Sequence, residues 1–182
     1  MKRMKKHIIL FVAAITLVVG SAFMPAQSNT EEYILKAAFL YRFTDYIDWG
    51  SSSGQTEDFT IAVLGRSGIT DPLIEIAKEK KAQGKRIVIK EYDNINDVGD
   101  CQILFISGNN KQDVETAVSK MGDKPILIVA EQTDACAKGA HINFVISDNK
   151  LKFEMNPSAA AISGLKISSQ LLQHAIVVVN TP

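Results

Sequence analysis

The sequence predicts one α/β domain: a single, mainly parallel sheet with helices on both faces, then a C-terminal β-hairpin followed by helices. Three patterns predict it. Between residues 59 and 130 short apolar runs alternate with helical runs, which implies right-handed crossovers between parallel strands. From Ile142 to Met155 apolar residues recur at every second position on either side of an Asp-Asn pair, the mark of a hairpin with one buried face. From Thr30 to Ile47 no Gly or Pro interrupts a strongly apolar helical stretch.

The chain opens on an export signal. Lys2, Arg3, Lys5 and Lys6 give a basic start, Ile8 to Val19 an apolar core of twelve residues, and small residues follow. Twelve residues are too few to span a bilayer. Cleavage after Ala22 or after Ala26 leaves 160 or 156 residues, enough for one domain with one core, assigned here to 27–182. The formal charge of zero hides an asymmetry, because four of the twenty basic residues lie in the signal and none of the twenty acids does. With 16 basic against 20 acidic residues the remaining domain carries −4, a poor match for nucleic acid, whose binding rests on phosphate contacts.

The first helix is expected over residues 30–47, capped by Thr30, with Glu31 and Glu32 complementing its positive end. Its apolar residues cover most of the circumference, so it must be widely buried across the sheet, with Trp49 as a last core residue. Part of its aromatic surface, Phe39, Phe43 and Tyr46, is a candidate partner contact. After a polar loop from Ser51 to Asp58, Phe59 to Leu64 reads as a buried strand. Thr70-Asp71-Pro72 is expected to cap a helix running to Gln83 and ended by Gly84. Arg86 to Tyr92, Gln102 to Ser107 and Pro125 to Ala130 read as further strands, with a helix near Lys111 to Met121 between the last two.

In the hairpin, Asp148 and Asn149 tolerate the positive φ of a tight turn. Asn156 before Pro157 reads as an N-cap with proline in the first turn, followed by three alanines and a stop at Gly164. A last helix, Ser168 to Ala175, places Leu171, Leu172 and Ala175 on one face.

Few residues offer chemistry. Gly65-Arg66-Ser67-Gly68 follows a strand and precedes a helix, where backbone amides can hold an anion, which makes Arg66 and Ser67 candidate ligand or anion contacts. The run is neither the dinucleotide fingerprint nor the phosphate loop. His141 and His174 are the histidines outside the signal, and neither sits in a ligand-spaced cluster, so no metal is expected. Ser107, Ser168 and Ser169 lack the strand-turn-helix setting of a nucleophilic serine. Without an assembled base, nucleophile or metal set the chain is not expected to be an enzyme, and no cofactor is implied.

The runs K-A-A-F-L-Y-R-F-T-D-Y-I-D-W, residues 36–49, and L-K-F-E-M-N-P-S-A-A-A-I-S-G-L-K-I-S-S-Q-L-L-Q-H-A, residues 151–175, resemble the YfiR-like periplasmic proteins. That resemblance implies a periplasmic regulator which represses a membrane diguanylate cyclase, with cyclic di-GMP and biofilm as outputs. The implied partners are the periplasmic domain of an inner-membrane cyclase or sensor kinase and an outer-membrane lipoprotein, and a homodimer is compatible with it. The alternative from the fold class alone is a periplasmic small-ligand binding module, since open α/β sheets bind at the carboxyl ends of their strands. Cys101 and Cys136 are the two cysteines; the family's use of disulfides favours pairing them. Strand order argues against it. If the strands before and after them are parallel neighbours, the two lie near opposite ends of the sheet, about 17 Å apart against the roughly 7 Å a disulfide allows, and two free thiols are expected.

Overall fold

The computed structural model describes residues 27–50, 57–108 and 114–179. In chain order these form α1 (Gln27–Tyr46), β1 (Ile47–Asp48), β2 (Asp58–Leu64), α2 (Thr70–Glu79), β3 (Lys81–Ala82), β4 (Lys85–Tyr92), a 3-10 turn (Ile95–Asp97), β5 (Ile103–Ile106), α3 (Val114–Met121) and β6 (Leu127–Ala130). There follow β7 (Ile142–Ser147), β8 (Lys150–Met155), α4 (Pro157–Ile162), β9 (Lys166–Ile167), α5 (Ser169–Leu172) and β10 (Val177–Val178). The expected export signal, residues 1–26, lies outside the described residues, as does the expected start of α3 near Lys111.

Eight strands form one sheet in the order β10-β8-β7-β6-β5-β2-β4-β3. The five from β4 to β7 are parallel, whereas β8 runs against β7 and β3 against β4 as arms of hairpins, and β10 lies parallel to β8. The central strands are apolar at nearly every position because both faces are covered. On one face Phe59, Ile61 and Val63 of β2, Phe105 of β5 and Val129 of β6 meet α1 and α2. On the other, Ala62, Leu64, Leu104 and Ile128 meet α3 and the 3-10 turn.

Helix α1 runs antiparallel to the central strands. Its Tyr33 lies against Gly68 beyond the end of β2, while Trp49, past its other end, donates its indole N–H to the Gln102 carbonyl before β5 at 2.9 Å. Between them Phe43 is fully buried among Phe144 and Phe153, with ring centroids at 6.0 and 5.5 Å. The hairpin forms as its pattern requires, with Asp148 and Asn149 at φ 53° and 56° and Phe144 opposite Phe153. Asn156 caps α4, accepting the Ala159 N–H at 3.0 Å.

Some boundaries differ from expectation, each for a local reason. Helix α1 is already helical at Gln27, so Thr30 sits inside it rather than at its cap. Thr70 does not cap α2: the N-cap is Ile69, without a side-chain bond, and the Thr70 hydroxyl donates to Glu91. Helix α2 ends at Glu79 because Gln83 (φ 51°) and Gly84 (φ 79°) close a two-residue turn that folds Lys81 and Ala82 back onto β4. The last helix is a single turn, and the chain then lays β10 beside β8.

Candidate functional site

Strand β2 leads through α2 to β4 on one side, and β5 leads through α3 to β6 on the other. Their carboxyl ends therefore flank the point where the winding reverses, the place where open α/β folds bind ligands. The segments there are Gly65-Arg66-Ser67 after β2 and Ser107-Gly108 after β5. They are tied to each other: the Ser107 amide donates to the Leu64 carbonyl at 3.0 Å, and its hydroxyl to the Arg66 carbonyl at 3.0 Å.

The crevice is filled from within. Gly108 N–H donates at 3.0 Å to Glu131, whose second carboxylate oxygen accepts from the Lys36 ammonium. Lys36 also pairs with Glu32 one turn earlier on α1, and its charge stands 4.9 Å from the centre of the Tyr33 ring. Burial works against the charge on Lys36, but the two carboxylates outweigh it and raise its pKa. The Tyr33 ring lies so close to Gly68 that an added Cβ would sit 2.5 Å from it. Helix α1 thus lays a cation, its acid partners and an aromatic ring across the expected ligand position, with Glu131 holding the Gly108 amide that would otherwise meet a ligand's anion. Sequence reasoning missed this group. The one local signal was Glu131 itself, a charge directly after an all-apolar strand.

Of the residues singled out from the sequence, Ser67 accepts the Ile69 N–H on its hydroxyl oxygen at 3.3 Å, a turn contact at the start of α2. Arg66 is exposed and lines a cavity of about 170 Å³ with Glu91 and Asp93, two acids that would repel an anion. Phe43 has no exposed surface and so is corrected from a partner contact to a core residue. Phe39 and Tyr46 are half-buried, Phe39 between Phe144 and Phe153, and Tyr46 beneath the Arg42 guanidinium. The apolar residues that α1 does expose are Ile34 and Leu35, at 53% and 46%.

Cys101 and Cys136 are separate, buried thiols, but not for the reason argued from strand order. The connection after β6 turns back along the sheet, so the Cys136 carbonyl accepts from Asn156 at the amino-terminal edge, the edge from which Cys101 enters β5. They share an end and are kept apart sideways: β6 and β7 stand between β5 and the β8 end that Asn156 follows, and even two strand spacings make about 10 Å. Burial, with Asp100 beside one thiol and Glu154 beside the other, pushes both pKa values up to about 12.

At this same edge a groove of about 400 Å³ is lined by Val118, Ala159, Ile162, Glu115 and Lys138, with His141 as its buried polar residue. His141 Nδ1 accepts the Ile128 N–H at 3.0 Å, which fixes the proton on Nε2. Nε2–H then donates at 3.0 Å to the Ser163 hydroxyl, which itself donates to the Gly122 carbonyl. The contact looks like a nucleophile-base pair and has the wrong polarity for one, since Nε2 holds no lone pair to take the serine proton. Burial also lowers the His141 pKa to about 4. Among the described residues no cluster of His, Cys, Asp and Glu is placed to hold a metal, and no helix is long and apolar enough to cross a membrane.

A family model described as YfiR/HmsC-like matches residues 33–176. The chain belongs to the YfiR/HmsC-like family. No curated protein matches it closely enough to count as a relative. The match begins at Tyr33, the ring against Gly68, and includes both Lys36 and Glu131. The structure also shows why two stretches so far apart in sequence carry the YfiR/HmsC-like pattern together. Residues 36–49 and 151–175 are one packing unit: Phe39 and Phe43 rest on Phe153, Ile47 pairs with Ile167, and the Ser168 amide donates to the Tyr46 carbonyl at 2.9 Å.

Proposed function

We propose that this protein is a periplasmic regulator which binds the extracytoplasmic sensing domain of an inner-membrane signalling enzyme and holds that enzyme inactive, with a diguanylate cyclase as the target. The family match over residues 33–176 carries the reading, because YfiR/HmsC-like proteins regulate diguanylate cyclases rather than catalyse a reaction. The basic start and twelve-residue apolar run place export and cleavage near Ala22 or Ala26 within the same proposal. The filled crevice supports it from another side: Lys36, Glu131 and Tyr33 already take the ligand position, which weakens the alternative of a small-ligand binding module.

Regulation of this kind needs only differential affinity. A protein that binds the inactive receptor ten to a hundred times more tightly than the active one biases it by roughly 1.4 to 2.7 kcal/mol. An outer-membrane lipoprotein that competes for the repressor would release the enzyme. The test is capture: the tagged, exported protein should retain an inner-membrane cyclase or sensor kinase from crosslinked cells. Its amino terminus, read by mass spectrometry, should begin after Ala22 or Ala26. Capture of no membrane receptor, or an intact signal on the mature protein, counts against the proposal.

A further inference from the structure

Helix α1 is buried along one side only. Lys36, Ala37, Leu40, Phe43 and Thr44 are buried, whereas the opposite side carries Glu31, Leu35, Ala38, Arg42 and Asp45. Successive members of this outer set stand 4, 3, 4 and 3 residues apart, the spacing of a seam along which two helices interlock their side chains. All are exposed except Ala38, the smallest, which is half-buried at the centre. Ile34 beside the seam and Leu35 within it are the large apolar residues that α1 exposes.

The seam is apolar in the middle and charged at both ends. Glu31 has no hydrogen-bond or ion-pair partner among the described residues. Arg42 donates to its neighbour Asp45 at 3.0 Å and to the Tyr46 hydroxyl at 3.4 Å, with both charges exposed. An exposed pair three residues apart on a helix contributes little, and a guanidinium has donors enough for a second carboxylate. Lys36 already serves two, Glu32 and Glu131. Two acids against one base make the seam a poor fit for an anionic lipid surface.

The same charges fit a reversed copy of themselves. In an antiparallel pair, the register that sets Leu35 against Ala38 of the second copy also sets Arg42 against its Glu31, and the symmetry repeats both contacts. Each Arg42 then stands between its own Asp45 and the other copy's Glu31. A parallel pair would instead oppose Arg42 to Arg42 and Glu31 to Glu31. We infer that this face of α1 binds the same face of a second copy, antiparallel, with Leu35 and Ala38 at the centre and Glu31 and Arg42 closing both ends. Phe39 turns toward the hairpin, so Ile34 and Tyr41 lie on the side of α2, whose Ile74 is also exposed; these widen the contact on that flank. The seam is only about 21 Å long at 1.5 Å per residue. It covers less than the roughly 800 Å² per partner of a stable interface, so the dimer is weak and dissociates on dilution.

Sedimentation equilibrium of the exported protein, from micromolar to millimolar concentration, tests the pairing. The wild type should pass from monomer to dimer across that range. Glu31→Arg and Arg42→Glu should each weaken the dimer about tenfold, because each sets like charges against one another at both ends. The two changes combined should restore the wild-type strength to within about threefold, since they exchange the charges across the same contact. Both positions are exposed, and an unchanged circular dichroism spectrum shows that each variant folds. A monomer at every concentration overturns the proposal. So does a dimer that the single reversals leave unchanged, or one that the combined reversal fails to restore.

Discussion

Lys36 and Glu131, 95 residues apart in the chain, meet at the carboxyl ends of the sheet, and both side chains are almost wholly shielded from solvent. The pair closes the crevice that open α/β folds use for ligands and fastens α1 to the sheet.

That pair should be expensive to break from one side. Lys36→Met leaves Glu131 buried without its cation and should cost about 3 to 5 kcal/mol in urea unfolding. The double variant with Glu131→Gln keeps an acceptor for Gly108 N–H and should cost clearly less than the two single changes summed. Additive effects would show that the two residues do not act as a pair.

The aromatic packing against the hairpin gives a second expectation. Phe153 is nearly fully buried, with Phe39 and Phe43 at ring centroids of 5.8 and 5.5 Å. Phe153→Ala should destabilise the protein by about 3 to 5 kcal/mol. A loss below about 1 kcal/mol with the fold intact would place the ring at the surface.

His141 makes stability depend on pH. Burial lowers its folded pKa to about 4 from the ordinary 6.5, so between those values the unfolded chain binds a proton that the folded one refuses. The stabilisation is complete above about pH 6.5 and is lost as pH falls toward 4, by about 3 kcal/mol in all. His141→Asn retains an acceptor for the Ile128 N–H and should flatten that part of the curve. An unchanged slope would show that His141 does not titrate in this way.

The thiols should be inert in the native protein. With pKa values pushed up to about 12, Cys101 and Cys136 should resist alkylation at pH 8, and unfolding without reductant should release two reactive thiols per chain. A monomer with no reactive thiol after unfolding would mean that the two are bonded.

The architecture was legible because its signals are local and agree with one another. The all-apolar runs that became β2, β5 and β6, the period-two alternation around Asp148-Asn149, and Asn156 before Pro157 each dictate their own backbone. Strands β3 and β10, two residues each, carry no periodicity to read, and Gln83-Gly84 serves equally as a helix stop or a hairpin turn until β4 is there to receive it. The closed crevice was not legible for a different reason. Nothing local links Lys36 to Glu131, nor Tyr33 to Gly68; those contacts exist only once α1 has been laid across the sheet. The aromatic face of α1 looked like either core or docking surface, and only the hairpin's Phe144 and Phe153 decide that Phe43 is core.

The regulatory claim is tested most directly by intracellular cyclic di-GMP in cells with the gene deleted and in the same cells carrying it again. The account predicts a rise on deletion and a return to the original level with the wild-type protein. An unchanged level in the deletion strain would contradict it.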